Sequence, residues 1–323
     1  MSGTTLTPLS APTARPLAVT DRLLEILLDG LWGRVLEALA GLSGIEMLEY
    51  PFMQRAYLAA ICVAIIGPLI GSFLVHRQMA MIADTLAHSA FAGVAAGLFV
   101  NAVLNVAISP LVAALVVAAL AAVLVQGLID QADAYADTSL AMVLTGAFGL
   151  GSVLITATEG GIAVGINAYL FGSLATVTPT SAGILVAITV LVGTVVTAVY
   201  RPLLYITFDE VGAQAARLNV EWYNTLLAVL TAVVVVGAMQ IMGVILVAAM
   251  LVVPVATAAT LGGFKRSIAG AILAGECAAL VGVSLSYVLG VAAGGMIVLV
   301  AIALYLLVTL SLRLRTWFDG RIA

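Results

Sequence analysis

HRQMAMIADTLAHSAFAGVAAGLFVN, residues 76–101, decides how the rest of this chain is read. Asp84 and His88 stand four positions apart in it, and no other charged or imidazole side chain falls between Arg77 and Asp130. Positions i and i+4 share one face of a helix, one turn apart. A carboxylate and an imidazole therefore project together from a segment long enough to cross a bilayer. An ionised group at membrane depth costs at least ~2.5 kcal/mol, so it needs a partner, a wet path or a bound ion. The pair is the strongest functional signal in the chain. Its bland alternative is an ion pair that holds a polar helix contact together.

The surroundings fix the class. Of 323 residues 63% are apolar and only 9% charged, and the mean hydropathy is +1.23. Soluble domains carry about 25% charged residues. Runs of ~20 apolar residues recur along the whole length, which predicts an all-α, polytopic transmembrane bundle in the cell membrane with no separate soluble domain. Continuous runs of that length exclude an outer-membrane barrel, whose strands alternate over ~10 residues. The net charge is −4 and no basic patch suits nucleic acid. Cys62 and Cys277 lie far apart in apolar runs and read as small buried hydrophobes. The lone lysine, Lys265, sits in GGFKRS, so there is no Gly-x4-Gly-Lys-Ser/Thr phosphate loop with which the chain could hydrolyse ATP.

Along the chain, residues 1–20 have the composition of a disordered segment. Residues 21–43 form an amphipathic helix, with Arg22, Glu25, Asp29, Gly33 and Glu37 in a polar stripe and Leu24, Leu27, Leu28, Leu31, Val35 and Leu39 around the rest; it is read as lying on the membrane surface. The transmembrane body covers residues 50–312. Its spans are expected at 50–75, kinked by Pro68, then at the Asp84/His88 helix, 108–128, 138–156, 182–200, 225–239, 241–259, 269–289 and 293–312: eight to nine in all. Gly93 and Gly97 make a small-x3-small contact face on the second span. Residues 157–180 are too short and glycine-rich for an ordinary span and suggest a short or re-entrant helix. His76-Arg77, Lys265-Arg266 and the tail cations Arg313, Arg315 and Arg321 mark the cytoplasmic side, with 313–323 as a cytoplasmic tail. A polar interruption at about 207–220 places Asp209 and Glu210 in the first turn of a short helix and Arg217 near its end.

Three stretches are similar to one family, the membrane permeases of ATP-binding-cassette importers for zinc, manganese and iron(II). GSFLVHRQMAMIADTLAHSAFAG (71–93) resembles its Gly-Asp-x3-His core, with Ala83 in place of the glycine. FDEVGAQAARLNV (208–220) resembles its cytoplasmic Phe-Asp-x-x-x-Ala segment, and MQIMGVILVAAMLVVPVATAAT (239–260) its Gly/Ala/Pro pattern. YLFGSL (169–174) and SYVLGVAAGG (286–295) also fit. The resemblance implies a permease subunit and not an enzyme: a homodimer carrying two cytoplasmic ATPase subunits, fed by an extracytoplasmic metal-binding protein. It implies no permanently bound cofactor, only a transported divalent metal. It implies that Asp84 and His88 line the path and meet that metal, and that the segment with Asp209, Glu210 and Gln214 docks into the ATPase.

One carboxylate oxygen and one imidazole nitrogen suit zinc, manganese or iron. A twofold axis through the path would bring a second pair opposite the first. Glu276 has no counterpart in the resemblance; it is either a second waypoint, with Cys277 or Ser284, or a buried neutral carboxyl. Met239, Gln240 and Met242 offer soft contacts or plain packing. The Asp209 helix could instead lie on the inner membrane surface, although Asp209 and Glu210 would be repelled by anionic lipid. Two other functions remain compatible with these residues. One is a proton-coupled secondary metal carrier using Asp84, His88 and Glu276 as a relay. The other is a permease for a metal chelate or larger cofactor.

Overall fold

The computed structural model describes residues 30, 32–43, 45–104, 106–131, 136–157, 169–172 and 177–322; the expected disorder of residues 1–20 lies outside these, as does the first part of the amphipathic helix. Among the described residues the structure is all helix, without a strand. Helices α1 (Gly33–Ser43) and a 3-10 turn at Glu46–Glu49 precede the membrane body. That body comprises α2 (Pro51–His76), α3 (Met81–Leu104), α4 (Pro110–Gln131), α5 (Ala136–Thr156) and α6 (Pro179–Ala198). Short helices α7 (Tyr200–Phe208) and α8 (Glu210–Ala215) follow, then α9 (Val220–Met242), α10 (Val244–Ala258), α11 (Phe264–Leu289) and α12 (Ala293–Ile322).

Eight of these helices are long and apolar enough to span a membrane. The ninth candidate, α10, has 15 residues, or ~22 Å at 1.5 Å per residue against a ~30 Å hydrocarbon core. Its two ends nonetheless lie at opposite faces of the molecule. One face is defined by an aromatic cluster: Phe264 at the start of α11 meets His76 at the end of α2 (centroids 5.0 Å apart) and Phe208 at the end of α7 (5.5 Å). The opposite face is defined by Tyr287 near the end of α11, which meets Tyr50 and Phe52 at the start of α2. The Ala258 end of α10 belongs to the first face, since the Ser267 hydroxyl of α11 donates to the Ala258 carbonyl. The Gly243 end lies against Leu170 and Phe171, in the segment leading to the start of α6. So α10 runs from one face to the other, a shorter ninth apolar helix beside the eight of spanning length among the described residues. Arg77, Arg201, Arg217, Lys265 and Arg266 all fall at the first face, which the positive-inside rule makes cytoplasmic.

Two groups of helices flank a central pair. Helix α3 packs on α4 and α5; α2 packs on α6 and α11, with α12 beyond; α9 and α10 sit between and touch both groups. Lipid tails are as apolar as leucine, so such contacts form where small residues let backbones approach. A Cβ on Gly71 of α2 would lie 1.8 Å from the Leu251 carbonyl oxygen of α10, and one on Gly93 of α3 would lie 2.6 Å from Ala114 Cα of α4. A Cβ on Gly97 would meet Ala113 Cβ at 2.8 Å, so both glycines of the small-x3-small face make the expected contact. Gly243 joins α9 to α10 at φ +80°, and a Cβ there would lie 2.2 Å from the Leu170 carbonyl oxygen. Only glycine fits both the dihedral and the space.

Pro68 lies inside α2, which is one continuous helix from Pro51 to His76. The carbonyl of Ala64, deprived of its donor, faces Gly275 of α11, where a Cβ would lie 3.1 Å away. The span expected at 182–200 ends two residues earlier, at Ala198, and the chain turns through Val199 directly into α7. In α1 the buried face is Gly33, Leu36 and Ala40, leaving Val35 and Leu39 half exposed. The Trp32 indole N–H donates to the Gln54 carbonyl at 2.8 Å, pinning the segment to the start of α2.

Replacing Gly71 with Ala should cost about 3 kcal/mol, at the upper end of overpacking penalties, because the obstructing atom is backbone. Gly127→Ala, where a Cβ meets nothing within 4 Å, should be neutral or stabilising. Thermal unfolding of the two variants in detergent checks this; equal midpoints would dismiss the close α2–α10 contact.

Candidate functional site

Asp84 lies in the first turn of α3 and His88 one turn further. At 1.5 Å per residue they stand ~5 and ~11 Å from its cytoplasmic end, both in the cytoplasmic half of this 24-residue helix. The first turn of a helix carries partial positive charge from its free N–H groups, which favours a carboxylate there. Ala83 is fully buried, so the small side chain before Asp84 is held to that size by its neighbours.

The imidazole Nδ1 of His88 lies 2.9 Å from the Asp84 carbonyl oxygen and 3.5 Å from Asp84 Oδ1. A carbonyl only accepts, so Nδ1 carries the hydrogen, and in the neutral ring the lone pair is then on Nε2. Such a bond orients the imidazole as outer partners of metal-ligating histidines do. The ring meets Phe148 of α5 edge-on, with centroids 5.5 Å apart. The Asp84 side chain is 43% exposed and that of His88 18%. The carboxylate is thus the more open of the two donors. Among the described residues no group of three or more His, Cys, Asp or Glu comes together, and a closed structural zinc site needs four ligands. One chain therefore offers two donors and open positions.

Glu276 is half-buried on α11, which packs chiefly on α2, α10 and α12, whereas α3 packs on α4, α5, α9 and α10. The Cys62 thiol on α2 is in electrostatic reach of Glu276, Cys277 is exposed, and the Ser284 hydroxyl is bonded to the Tyr57 hydroxyl at 2.7 Å. Glu276 is thus not brought into a group with Asp84 and His88. Met239 and Met242 are buried in the apolar core.

The expected short helix at 207–220 is α8, six residues long. Asp209 is its N-cap: Oδ1 accepts the Gly212 N–H at 2.8 Å. Glu210 opens the helix, while Arg217 lies beyond its end at φ +61° instead of in its last turn. Ile206, Ala213 and Val220 form a small buried cluster beneath it. The outer face carries Glu210 and Gln214 with Phe208, 63% exposed, and Val211, 77% exposed. Exposed apolar side chains beside acids suit a protein cleft better than anionic lipid.

Sequence reasoning took His76 and Arg77 only as markers of sidedness. Arg77 caps α2, and its Nη2 donates to the Asn224 side-chain oxygen of α9. It shares a cleft of about 320 Å3 with His76, Gln78, Phe208 and Glu210. Burial lowers the pKa of the guanidinium from its usual value and the Glu210 charge acts the other way; the group stays cationic at neutral pH. A lone arginine at the end of a span was the available signal, but its partners lie far away in sequence.

The model of the ABC 3 transport family matches residues 49–311. The chain is 34% identical over 266 residues to the manganese transport system membrane protein MntC of Halalkalibacterium halodurans, covering 81% of this chain and 88% of that protein. It is 30% identical over 261 residues to the protein of the same name in Listeria monocytogenes, covering 80% and 90%. Among solved structures, PsaBC from Streptococcus pneumoniae in complex with Fab superposes with a TM-score of 0.72 at 29% identity, over 81% of this chain and 92% of that one.

Removing the cap by Asp209→Ala should cost about 1 kcal/mol locally, which is about fivefold faster hydrogen exchange at the Gly212 amide. Asp209→Asn, which still accepts, should stay close to wild type. An alanine variant exchanging at the wild-type rate would remove the capping role.

Proposed function

The chain belongs to the ABC 3 transport family, and from that premise we propose that it is the permease subunit of an ATP-driven importer of a divalent metal ion, with manganese the first candidate cargo. The observation that carries this reading is the Asp84/His88 pair, stacked one turn apart and oriented so that an imidazole Nε2 stays basic beside an open carboxylate. An oxygen donor suits manganese, and an imidazole suits zinc and iron as well. The relatives named for manganese transport tip the order toward that metal.

Two copies of the chain around a twofold axis would place two such pairs across one path, giving two nitrogens and two oxygens. A conducting site must bind well enough to replace water and weakly enough to release, and a mixed, incomplete set meets both needs. An extracytoplasmic metal-binding protein would deliver the ion from the Gly243 side. Separate ATPase subunits would seat α8 through Phe208, Val211 and Gln214, which are all exposed. Glu276 we keep out of the path, because it stands by Cys62 on helices that border the other group.

In vesicles carrying permease, ATPase and binding protein, Asp84→Ala and His88→Ala should each lower manganese accumulation at least tenfold, and Glu276→Gln should change it less than twofold. Wild-type accumulation by either of the first two variants would end the proposal. Uphill uptake by this chain without an ATPase, abolished by an uncoupler, would transfer the function to a proton-coupled carrier.

A further inference from the structure

We propose that Arg77 is a positioning residue that ties the ATPase-facing helix α8 to the start of the Asp84/His88 helix. This rests on the permease reading above. Arg77 ends α2, and only the turn through Gln78, Met79 and Ala80 separates it from α3. That turn is tied back to α2: Gln78 sits at φ +58°, and the Met79 N–H donates to the Leu74 carbonyl at 2.8 Å. Displacing Arg77 therefore displaces the first turn of α3, where Asp84 lies.

The side chain is held at one end only. Nη2 is bound to Asn224 of α9, which is itself 9% exposed. Nη1 is shielded from solvent and has no hydrogen-bond partner among the described residues. A buried N–H without an acceptor is unfavourable, so this arrangement gains from any acceptor that arrives. The Glu210 carboxylate, on the first residue of α8, acts on it electrostatically. The two line the same polar cleft of about 320 Å3, with no ion pair between them among the described residues. The cleft leaves room for α8 to move inward. Pressed by an ATPase, α8 would bring the Glu210 carboxylate onto the spare N–H, making a charge-assisted bond. The guanidinium would then bridge α8, α9 and the turn into α3, and the motion of α8 would reach Asp84.

The assembled importer tests this through metal transported per ATP hydrolysed. Arg77→Gln should lower that ratio at least tenfold while hydrolysis continues; Arg77→Glu and Glu210→Arg should each do the same, and their combination should recover at least half of the wild-type ratio. A second readout is independent of cargo. Spin labels at Met81→Cys and Ala215→Cys, with Cys62 and Cys277 changed to serine, should move closer on ATPase binding in the otherwise wild-type chain and stay apart with Arg77→Gln. An unchanged transport ratio in Arg77→Gln, a charge-swapped pair no better than its single variants, or equal label shifts in both backgrounds would overturn the proposal. Failure of the wild-type assembly to move any divalent metal would count against the permease reading instead, and the label distances would still judge Arg77.

Discussion

Backbone-to-backbone contact between α2 and α10 is the constraint on which the arrangement depends. In lipid there is little hydrophobic gain from bringing two apolar helices together, so packing must come from shape. At Gly71 the two backbones meet with no room for a methyl group. That contact seats α10, with α9, as a central wedge, and the groups containing α2 and α3 are built on its two sides. Gly243 makes the wedge possible by turning the chain from α9 into α10 at a dihedral other residues avoid. Because this break is packed against Leu170 and Phe171, its irregular backbone is shielded by protein, the condition under which such breaks persist at membrane depth.

Polar groups in this frame are few and are handled by local geometry. Hydroxyls of Ser72, Thr85, Ser89 and Thr231 donate to carbonyls one turn back within their own helices. His88 does the same with Nδ1, but unlike a hydroxyl it retains a basic second nitrogen. That distinguishes it from the polar residues that are simply satisfied in place. Asp84 gains from the helix N-terminus without giving up its exposure.

Much of this was legible in the sequence, for identifiable reasons. Nine apolar stretches gave nine helices, because membrane spans are set by length and hydropathy more than by subtle propensity. Asp84 and His88 stood out because nothing else charged surrounds them, and Gly93 and Gly97 because their spacing is a packing signal. The short helix was visible from its acids, but Asp209 caps it instead of lying in its first turn, and its length was hidden, since a turn at Arg217 with φ +61° has no glycine to announce it. The Arg77–Asn224 bond was invisible because it links residues 147 apart in sequence. The place of Glu276 was equally hidden: which side of α11 meets α2 depends on Gly275 fitting against Ala64 and Pro68, a matter of tertiary contact.

The brevity of α10 bears on how the depth of the membrane is filled at the centre of the molecule. A central helix of 15 residues, ~22 Å long, is shorter than the surrounding ~30 Å of hydrocarbon. The missing length comes from other stretches of the chain: Leu170 and Phe171 close on the Gly243 end, and the start of α11 closes on the Ala258 end through the Ser267 hydroxyl. A rod too short to cross alone is completed at both tips by segments distant in sequence, so it depends on the folded bundle for its place.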